Sequence, residues 1–424
     1  MTINPLISSP VSDLVGKAVL LVHPAWHSCG SYNVFVAQAE AYRSLGAKVY
    51  SLAVSGFPGN TGQSVAEEAY VTATPEMKTD ARFFTGMPLR GVSTLNFLDA
   101  ANAWLHGDYA AMLIETARQS PLPEVLSTLK IDLIHCNHFF CMPVAVRLRD
   151  THHSPLLLDT HDLQARQFAL RNRDAWTLAP KATYETMLAR ELAQMRAADV
   201  LMHLNTEEAE TFGALLPEKR HVLLFPAVAP MPFGQGDDTI IVASSNYPNF
   251  LGIKWFLSEV MPLAGDIPVR IVGNIRRMVR WRAPQLYLRT KSLFAGFTDD
   301  LAEVYRSAST ILLPTTSGFG ISIKTIEALS SGVRLITTRQ AFRGMGINPA
   351  ELGNVVLAED AASFATAMRE MTKVSPANET ANASSDTRRL YERLFTPAAY
   401  RRTLAALVGP LLQHDGITAP EISS

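Results

Sequence analysis

The sequence predicts an α/β protein of two facing, Rossmann-like doubly wound domains with a cleft between them. Three observations carry this. Short apolar runs ending in turn residues alternate with longer helical patterns, which is the signature of a parallel sheet with crossover helices. The alternation stops at a Pro- and Gly-rich stretch and then restarts. The 424 residues also suit two domains at roughly 100–200 residues each.

In the first half, apolar runs Ala18–Val22, Lys48–Val54, Ile131–His135 and Leu156–Asp159 read as strands, with a helix about Val34–Leu45. The helical stretch Tyr184–Arg196 leads to further strands at Val200–Leu204 and Val222–Phe225. The segment Pro226–Asp238, PAVAPMPFGQGDD, has no apolar periodicity and reads as an exposed connection. The N-terminal domain is therefore expected over 1–228 and the C-terminal one over 236–385.

Beyond the connection, strands are expected at Thr239–Ala243, Val269–Gly273, Leu293–Ala295, Thr310–Pro314 and Arg334–Thr338. Helices are expected at Gly252–Met261, Asp300–Ser307 and Ile321–Ser331. Pro376–Asp386 reads as a polar loop, and an amphipathic helix over about 396–414 is expected to pack back on the N-terminal domain.

Lys plus Arg number 38 and Asp plus Glu 39. That balance argues against a protein built to coat nucleic acid or an anionic membrane, and for small-molecule chemistry. The odd set Cys29, Cys136 and Cys141 gives no disulfide framework and fits a reducing compartment. Met1–Lys17 lacks the pattern of a secretory signal, and no run approaches the ~20 apolar residues of a membrane span. The expected location is the cytoplasm, with peripheral contact on the inner membrane face left open; oligomeric state is open too.

In doubly wound folds ligands collect at the carboxyl ends of strands. The loop after Thr310–Pro314 reads TTSGFGISIKTIEALSSG, a Gly-x-Gly turn opening into a helix. Gly318 and Gly320 let backbone approach an anion, and the helix's unpaired N–H groups and positive dipole end favour a phosphate there. Ser322 adds a hydroxyl and Lys324 a full charge. Glu327, on the same helical face, offers a carboxylate to both hydroxyls of a ribose. Lys324 and Glu327 read equally well as a surface ion pair worth roughly 0.2–0.5 kcal/mol.

Gly318, Gly320, Lys324, Glu327-Ala328 and Gly332 resemble the donor signature of retaining, family-4 glycosyltransferases (glycosyl transferases group 1) with the GT-B fold. Ser244–Pro262, Val269–Asn274 and Leu293–Pro314 resemble the segments around that signature, so the likeness runs from about Thr239 to Gly346. The resemblance implies that Ser245 and Asn246 border the phosphates, that Gly273 and Asn274 face the cleft, and that backbone at Phe297 and Thr298 meets the base. It further implies that Ser322, Ile323 and Lys324, after Ile321, hold the diphosphate while Glu327 holds the ribose. One departure stands out: Phe319 occupies the position where the common pattern has a sugar-contacting glutamate.

In the N-terminal half, the same resemblance places HPAWHSCGSYNVF as a glycine-rich loop, with Gly30 near the diphosphate and Ser28–Ser31 capping a helix from about Tyr32. It makes His138 the histidine beside the sugar, whereas His135 reads as a core residue. No metal is expected at His135, His138, Cys136 and Cys141, because strand positions three apart face oppositely and no further ligand pair completes a set. Asp159, His161 and Asp162 end another strand and, with Arg166, are acceptor-side candidates; a helix cap at Asp162 is the plainer alternative. Arg276, Arg277, Arg280 and Arg282 around Trp281 form a basic aromatic patch suited to phospholipid or lipid pyrophosphate.

The expected reaction is transfer of a hexose-type sugar from a nucleotide sugar, UDP- or GDP-linked, to a glycan, glycolipid or lipid-linked acceptor. Retention is implied by the resemblance, with no metal and no cofactor beyond the co-substrate, in surface polysaccharide or glycoconjugate biosynthesis. His138, Lys324 and Glu327 are the expected catalytic residues. A sugar-nucleotide epimerase on the same fold and an inactive sugar-nucleotide-binding scaffold are the rivals.

Overall fold

The computed structural model describes residues 14–413 apart from 28, 60–64, 89–94, 175 and 374–378. Ser28 and the start of the expected polar loop at Pro376 lie outside the described residues. The chain divides into two compact units: Met1–Leu204, Glu208–Pro226 and Tyr400–Ser424 form the first, Asn205–Glu207 and Ala227–Ala399 the second.

The first unit is built on strands β1 (Ala18–Pro24), β2 (Lys48–Val54), β3 (Ala81–Thr85), β4 (Leu133–Asn137), β5 (Leu156–Asp159), β6 (Val200–His203) and β7 (Arg220–Leu223). They form one sheet in the order β3-β2-β1-β4-β5-β6-β7, and each pairing is parallel. Every residue of β1, β4, β5 and β6 is buried. That is why these strands read as unbroken apolar runs rather than alternating ones. Leu20, Val22, Ile134, Leu158, Phe139 and Phe212 belong to the core between sheet and helices.

The second unit carries β8 (Asp238–Val242), β9 (Arg270–Val272), β10 (Phe294–Gly296), β11 (Ala308–Leu313), β12 (Arg334–Thr337) and β13 (Val355–Leu357). Their order is β10-β9-β8-β11-β12-β13, again with parallel pairings. Ile241, Ile271, Leu312, Ile336, Phe256 and Phe364 sit in its core. In both sheets the strand order reverses beside the first strand, between β1 and β4 and between β8 and β11. The crevice at the carboxyl ends of such a pair is where an open parallel sheet takes its ligand.

Several helices frame these crevices: α1 (Gly30–Ser44), α2 (Gln164–Asp174), α3 (Tyr184–Met195), α4 (Tyr247–Trp255), α5 (Ile275–Arg282), α6 (Pro284–Thr290), α7 (Leu301–Arg306), α8 (Ile323–Ser331) and α9 (Pro397–Gln413). From Tyr400 onward α9 belongs to the first unit. Tyr400, Leu404, Leu407 and Val408 are buried there, and Lys17 Nζ donates to the Leu412 carbonyl at 3.2 Å.

Four expectations are corrected. The first helix starts at Gly30 rather than near Tyr32, with Cys29 at the N-cap and no side-chain capping bond among the described residues. The helix expected over Gly252–Met261 starts at Tyr247, where Asn246 caps it by accepting from Asn249 N, and passes into a π-helical turn at Phe256–Val260. The helix expected from Ile321 starts at Ile323. The Pro376–Asp386 stretch is not all loop: Glu379–Ala383 is helical, and Ser385 caps the helix Asp386–Leu394.

Candidate functional site

The second unit's crevice opens on the turn between β11 and α8. Gly318 has φ +125° and Gly320 φ +67°, backbone that side chains rarely adopt. A Cβ on Gly318 would come within 3.0 Å of Arg343 Nη2. Gln340 Nε2 donates to the Gly318 carbonyl at 2.9 Å, and Arg343 Nη1 donates to the Gln340 carbonyl at 3.1 Å. The turn is thus clamped from the segment after β12. Phe319 projects from it, 39 % exposed.

Ser322 is the N-cap of α8, its hydroxyl accepting from Thr325 N at 3.3 Å. The hydroxyl proton is left for an incoming acceptor, and the first amides of the helix point the same way. Thr325 Oγ1 donates to the Ala341 carbonyl at 2.9 Å, fixing the helix start.

One turn in, Lys324 Nζ donates to Glu327 Oε1 at 3.1 Å and Oε2 at 2.9 Å. The ion pair foreseen as the plainer alternative is therefore formed. It is not a surface pair, however, because Glu327 is 8 % exposed. Tyr305, at the end of α7, donates its hydroxyl to Glu327 Oε2 at 3.1 Å. Burial, followed by the Glu327 charge and this bond, holds the phenol well above its ordinary range, so it remains a donor. A carboxylate oxygen has two lone pairs, so these three bonds leave Glu327 one lone pair, on Oε1, for a further hydroxyl.

The loops after β8, β9 and β10 are tied to one another. Ser245 N donates to Asn274 Oδ1 at 2.5 Å, and Gly273 N donates to the Gly296 carbonyl at 2.7 Å. Gly273, at φ +119°, has no room for a side chain, since a Cβ would lie 2.2 Å from the Ala243 carbonyl oxygen. Phe297 is 71 % exposed; Thr298 Oγ1 accepts from Asp300 N at 3.1 Å. Ser245, Asn246, Gly273, Asn274, Phe297 and Thr298 therefore sit together on one edge of the sheet, beside the turn that carries Gly318, Phe319, Gly320, Ile321, Ser322 and Ile323.

At the carboxyl ends of β1, β4 and β5 in the first unit lies a cluster of rings in which His138 and His161 are buried. His138 follows β4 with φ +65° and His161 follows β5 with φ +59°, an uncommon backbone for residues other than glycine. Their imidazoles stack, centroids 4.1 Å apart and planes 10° apart. His138 also packs edge-on to Trp26 at 4.8 Å, and its Nε2 lies 3.2 Å from Ser31 Oγ. Behind them runs a buried chain of hydrogen bonds. His161 Nε2–H donates to Asn137 Oδ1 at 2.8 Å, Asn137 Nδ2 to Gln38 Oε1 at 2.9 Å, and Gln38 Nε2 to Asp159 Oδ2 at 3.0 Å.

Burial pushes His138 down to about 3 and Asp159 up to about 7, with the His161 amide and Gln38 opposing the latter. His138 is therefore neutral at physiological pH. His135 is a core residue bonded through Nδ1 to the Tyr42 hydroxyl at 3.0 Å. Gly30 opens α1 with nothing within 4 Å of an added Cβ.

The acceptor-side candidates differ in exposure. His161 is 2 % exposed, Asp162 is half-buried and Arg166 exposed. The amides of Gln164 and Ala165, opening α2, donate to the buried carboxyl group of Glu191 on α3 at 3.2 and 2.9 Å. Among the described residues no group of three or more His, Cys, Asp or Glu is placed to hold a metal ion.

Sequence reasoning missed Tyr305, Gln340, Arg343, Gln38 and Asn137. All five act through tertiary contacts; only the amphipathic position of Tyr305 hinted at its burial.

Residues 237–373 match the family described as Glycosyl transferases group 1. Residues 237–373 are similar to a group 1 glycosyl transferase domain, and the chain has the fold of GT-B proteins. The turn, α8 and the tied loops all lie within the matched segment. HepE from Anabaena, in a crystal structure with UDP and glucose, is 12 % identical with a TM-score of 0.60, over 93 % of this chain and 100 % of that one. Sucrose-phosphate synthase from Thermosynechococcus elongatus is 18 % identical with a TM-score of 0.59, over 93 % and 99 %. At these identities the likeness is one of fold. A 44.6 kDa uncharacterized protein in the cps region of Klebsiella pneumoniae is 24 % identical over 183 residues. That match takes in 39 % of this chain and under half, 45 %, of the relative's length. No helix among the described residues is long and apolar enough to cross a membrane.

Proposed function

We propose that the group 1 domain binds a nucleoside diphosphate sugar and that the chain transfers the sugar, of hexose type, to a glycan, glycolipid or lipid-linked acceptor. The observation that carries this reading is the buried Glu327 carboxylate, held by Tyr305 and Lys324 one turn inside a helix whose N-terminus follows a Gly-x-Gly turn. Phosphate at the N-terminus of α8, charge from Lys324 and a ribose on Glu327 give each of these groups a ligand. UDP is favoured as the carrier, with GDP second, because HepE structures are described in complex with UDP and with UDP-glucose.

In the proposed reaction the bond from the anomeric carbon to the diphosphate oxygen breaks as the acceptor oxygen bonds to that carbon, and the acceptor's hydroxyl proton passes to the departing diphosphate. Lys324, the Ser322 hydroxyl and the first amides of α8 stabilise the charge arriving on the diphosphate. These groups supply the positive field, so the reaction is proposed to need neither metal nor cofactor, and retention follows the family likeness. His138, fully buried and uncharged at neutral pH, is proposed to back the wall beside the sugar rather than to donate a proton. His161, Asp162 and Arg166 are proposed on the acceptor side, with Gly30 near the diphosphate. The cps-region relative supports a place in surface polysaccharide or glycoconjugate synthesis, at the cytoplasmic face with peripheral membrane contact.

A thermal-shift screen of UDP, GDP, ADP and their sugars tests the donor, followed by sugar release with and without chelator. Stabilisation by a nucleoside diphosphate and chelator-resistant turnover are expected. No shift with any nucleotide would overturn the donor site, and full loss in chelator restored by manganese would overturn the metal-free reaction.

A further inference from the structure

We propose that α5 and α6 of the second unit form a docking face for an anionic lipid bilayer. Residues 275–298 contain Arg276, Arg277, Arg280, Arg282, Arg289 and Lys291, and no acidic side chain. Against a whole-chain charge of −1, this concentrates cations on one segment, which a sum over the chain conceals.

On α5, Ile275 and Val279 are buried. At about 100° per residue, Arg276, Arg277, Arg280 and Trp281 fall on the opposite, outward side, and all four are exposed. Trp281 is 77 % exposed and Leu288, on α6, 67 % exposed. The cations have aromatic partners: Arg276 Nε donates to the Tyr287 hydroxyl at 3.0 Å, and the Arg282 guanidinium lies 5.2 Å from the Tyr247 ring centroid. Among the described residues none of the six is in an ion pair. A face meant to be solvated would hold interspersed carboxylates and would not present a tryptophan and a leucine.

Cations interleaved with an exposed indole and an aliphatic side chain match the boundary of an anionic bilayer, where phosphates take the arginines and headgroup depth takes the indole. Nucleic acid fits less well, since Leu288 adds nothing to a phosphate contact. This inference does not rest on the sugar-transfer reading, although a lipid-linked acceptor would give it a purpose.

The test is co-sedimentation of the whole chain with phosphatidylcholine vesicles, with and without roughly a third phosphatidylserine. Binding to the anionic vesicles alone, weakened by salt, is expected. Each charge near the surface accounts for about fivefold in affinity, so Arg277→Gln/Arg280→Gln should bind roughly 25-fold more weakly. Trp281→Ala should weaken binding without changing its salt dependence. All three positions are exposed, and unchanged thermal melting and UDP affinity check that the fold is intact.

Lys324→Ala should lose UDP and keep the vesicles, so failure of the donor site and failure of this face are distinguishable. Equal binding to neutral vesicles, no binding, or binding indifferent to the arginine changes would overturn the proposal. So would tighter binding of single-stranded RNA or of inorganic pyrophosphate than of the vesicles.

Discussion

Replacing Tyr305 by Phe removes one oxygen and leaves the ring. That oxygen donates to Glu327 at 3.1 Å in a place where Tyr305 is fully buried and the carboxylate nearly so. A hydrogen bond to a charged group is worth about 1.5–3 kcal/mol. Lys324 still holds both carboxylate oxygens, so the lower end, about 1.5 kcal/mol, is the better figure. Freed from the phenol, the carboxylate swings toward Lys324 and away from where a ribose would be met. If the whole effect reaches the ligand, affinity falls about tenfold. Calorimetry with UDP and with uridine reads it: both should weaken by the same factor, since the perturbation is at the ribose and not the phosphates. Urea unfolding should show a loss of about 1–2 kcal/mol. Unchanged uridine affinity alongside that loss would refute the ribose role and leave Tyr305 and Glu327 as structural groups.

Lys324→Ala is expected to weaken UDP at least tenfold, to spare uridine by comparison and to abolish turnover; parallel calorimetry and sugar-release assays check this. Gly273→Ala forces a Cβ against the Ala243 carbonyl oxygen, 2.2 Å away, and should cost about 3 kcal/mol or more, measured by the urea midpoint. Lowering pH from 6.5 to 5 should destabilise the first unit. The folded pKa values of His23, His135, His138 and His203 are depressed by burial to about 4, 3, 3 and 3. Below about 6.5 the unfolded chain binds protons that the folded chain refuses, at a cost of about 2 kcal/mol per histidine by pH 5. Asp159 and Glu191, raised by burial to about 7 and about 8, work the other way and regain about 2 kcal/mol each. With His161, which burial also holds well below its ordinary range, five histidines outweigh the two acids, and a urea midpoint that is flat or rises over this range would contradict the sign.

The buried strands were legible because a strand covered on both faces is apolar throughout. β3 and β13 were not, for both are short edge strands, and Arg82 interrupts the first. The Gly-x-Gly turn, Lys324 and Glu327 could be read because their relation is local, within two turns of one helix. Tyr305 lies 22 residues from Glu327 and Gln38 lies 121 residues from Asp159, and spacing says nothing about such pairs. The left-handed backbone of His138 and His161 is imposed by packing against rings from other elements, so the residues gave no sign of it. The start of α1 at Gly30 was missed because no side chain caps it.

The return of α9 to the first unit governs how this protein can be divided. A gene ending after Pro226 would encode a first unit lacking the buried side chains of Tyr400, Leu404, Leu407 and Val408. Burying each such side chain contributes roughly 1.5–3 kcal/mol, so the shortened product should aggregate. Joining residues 400–413 to 226 through a glycine-serine bridge should restore solubility. The second unit, whose sequence from 227 to 399 is nearly continuous, is the half to excise for studying nucleotide binding alone.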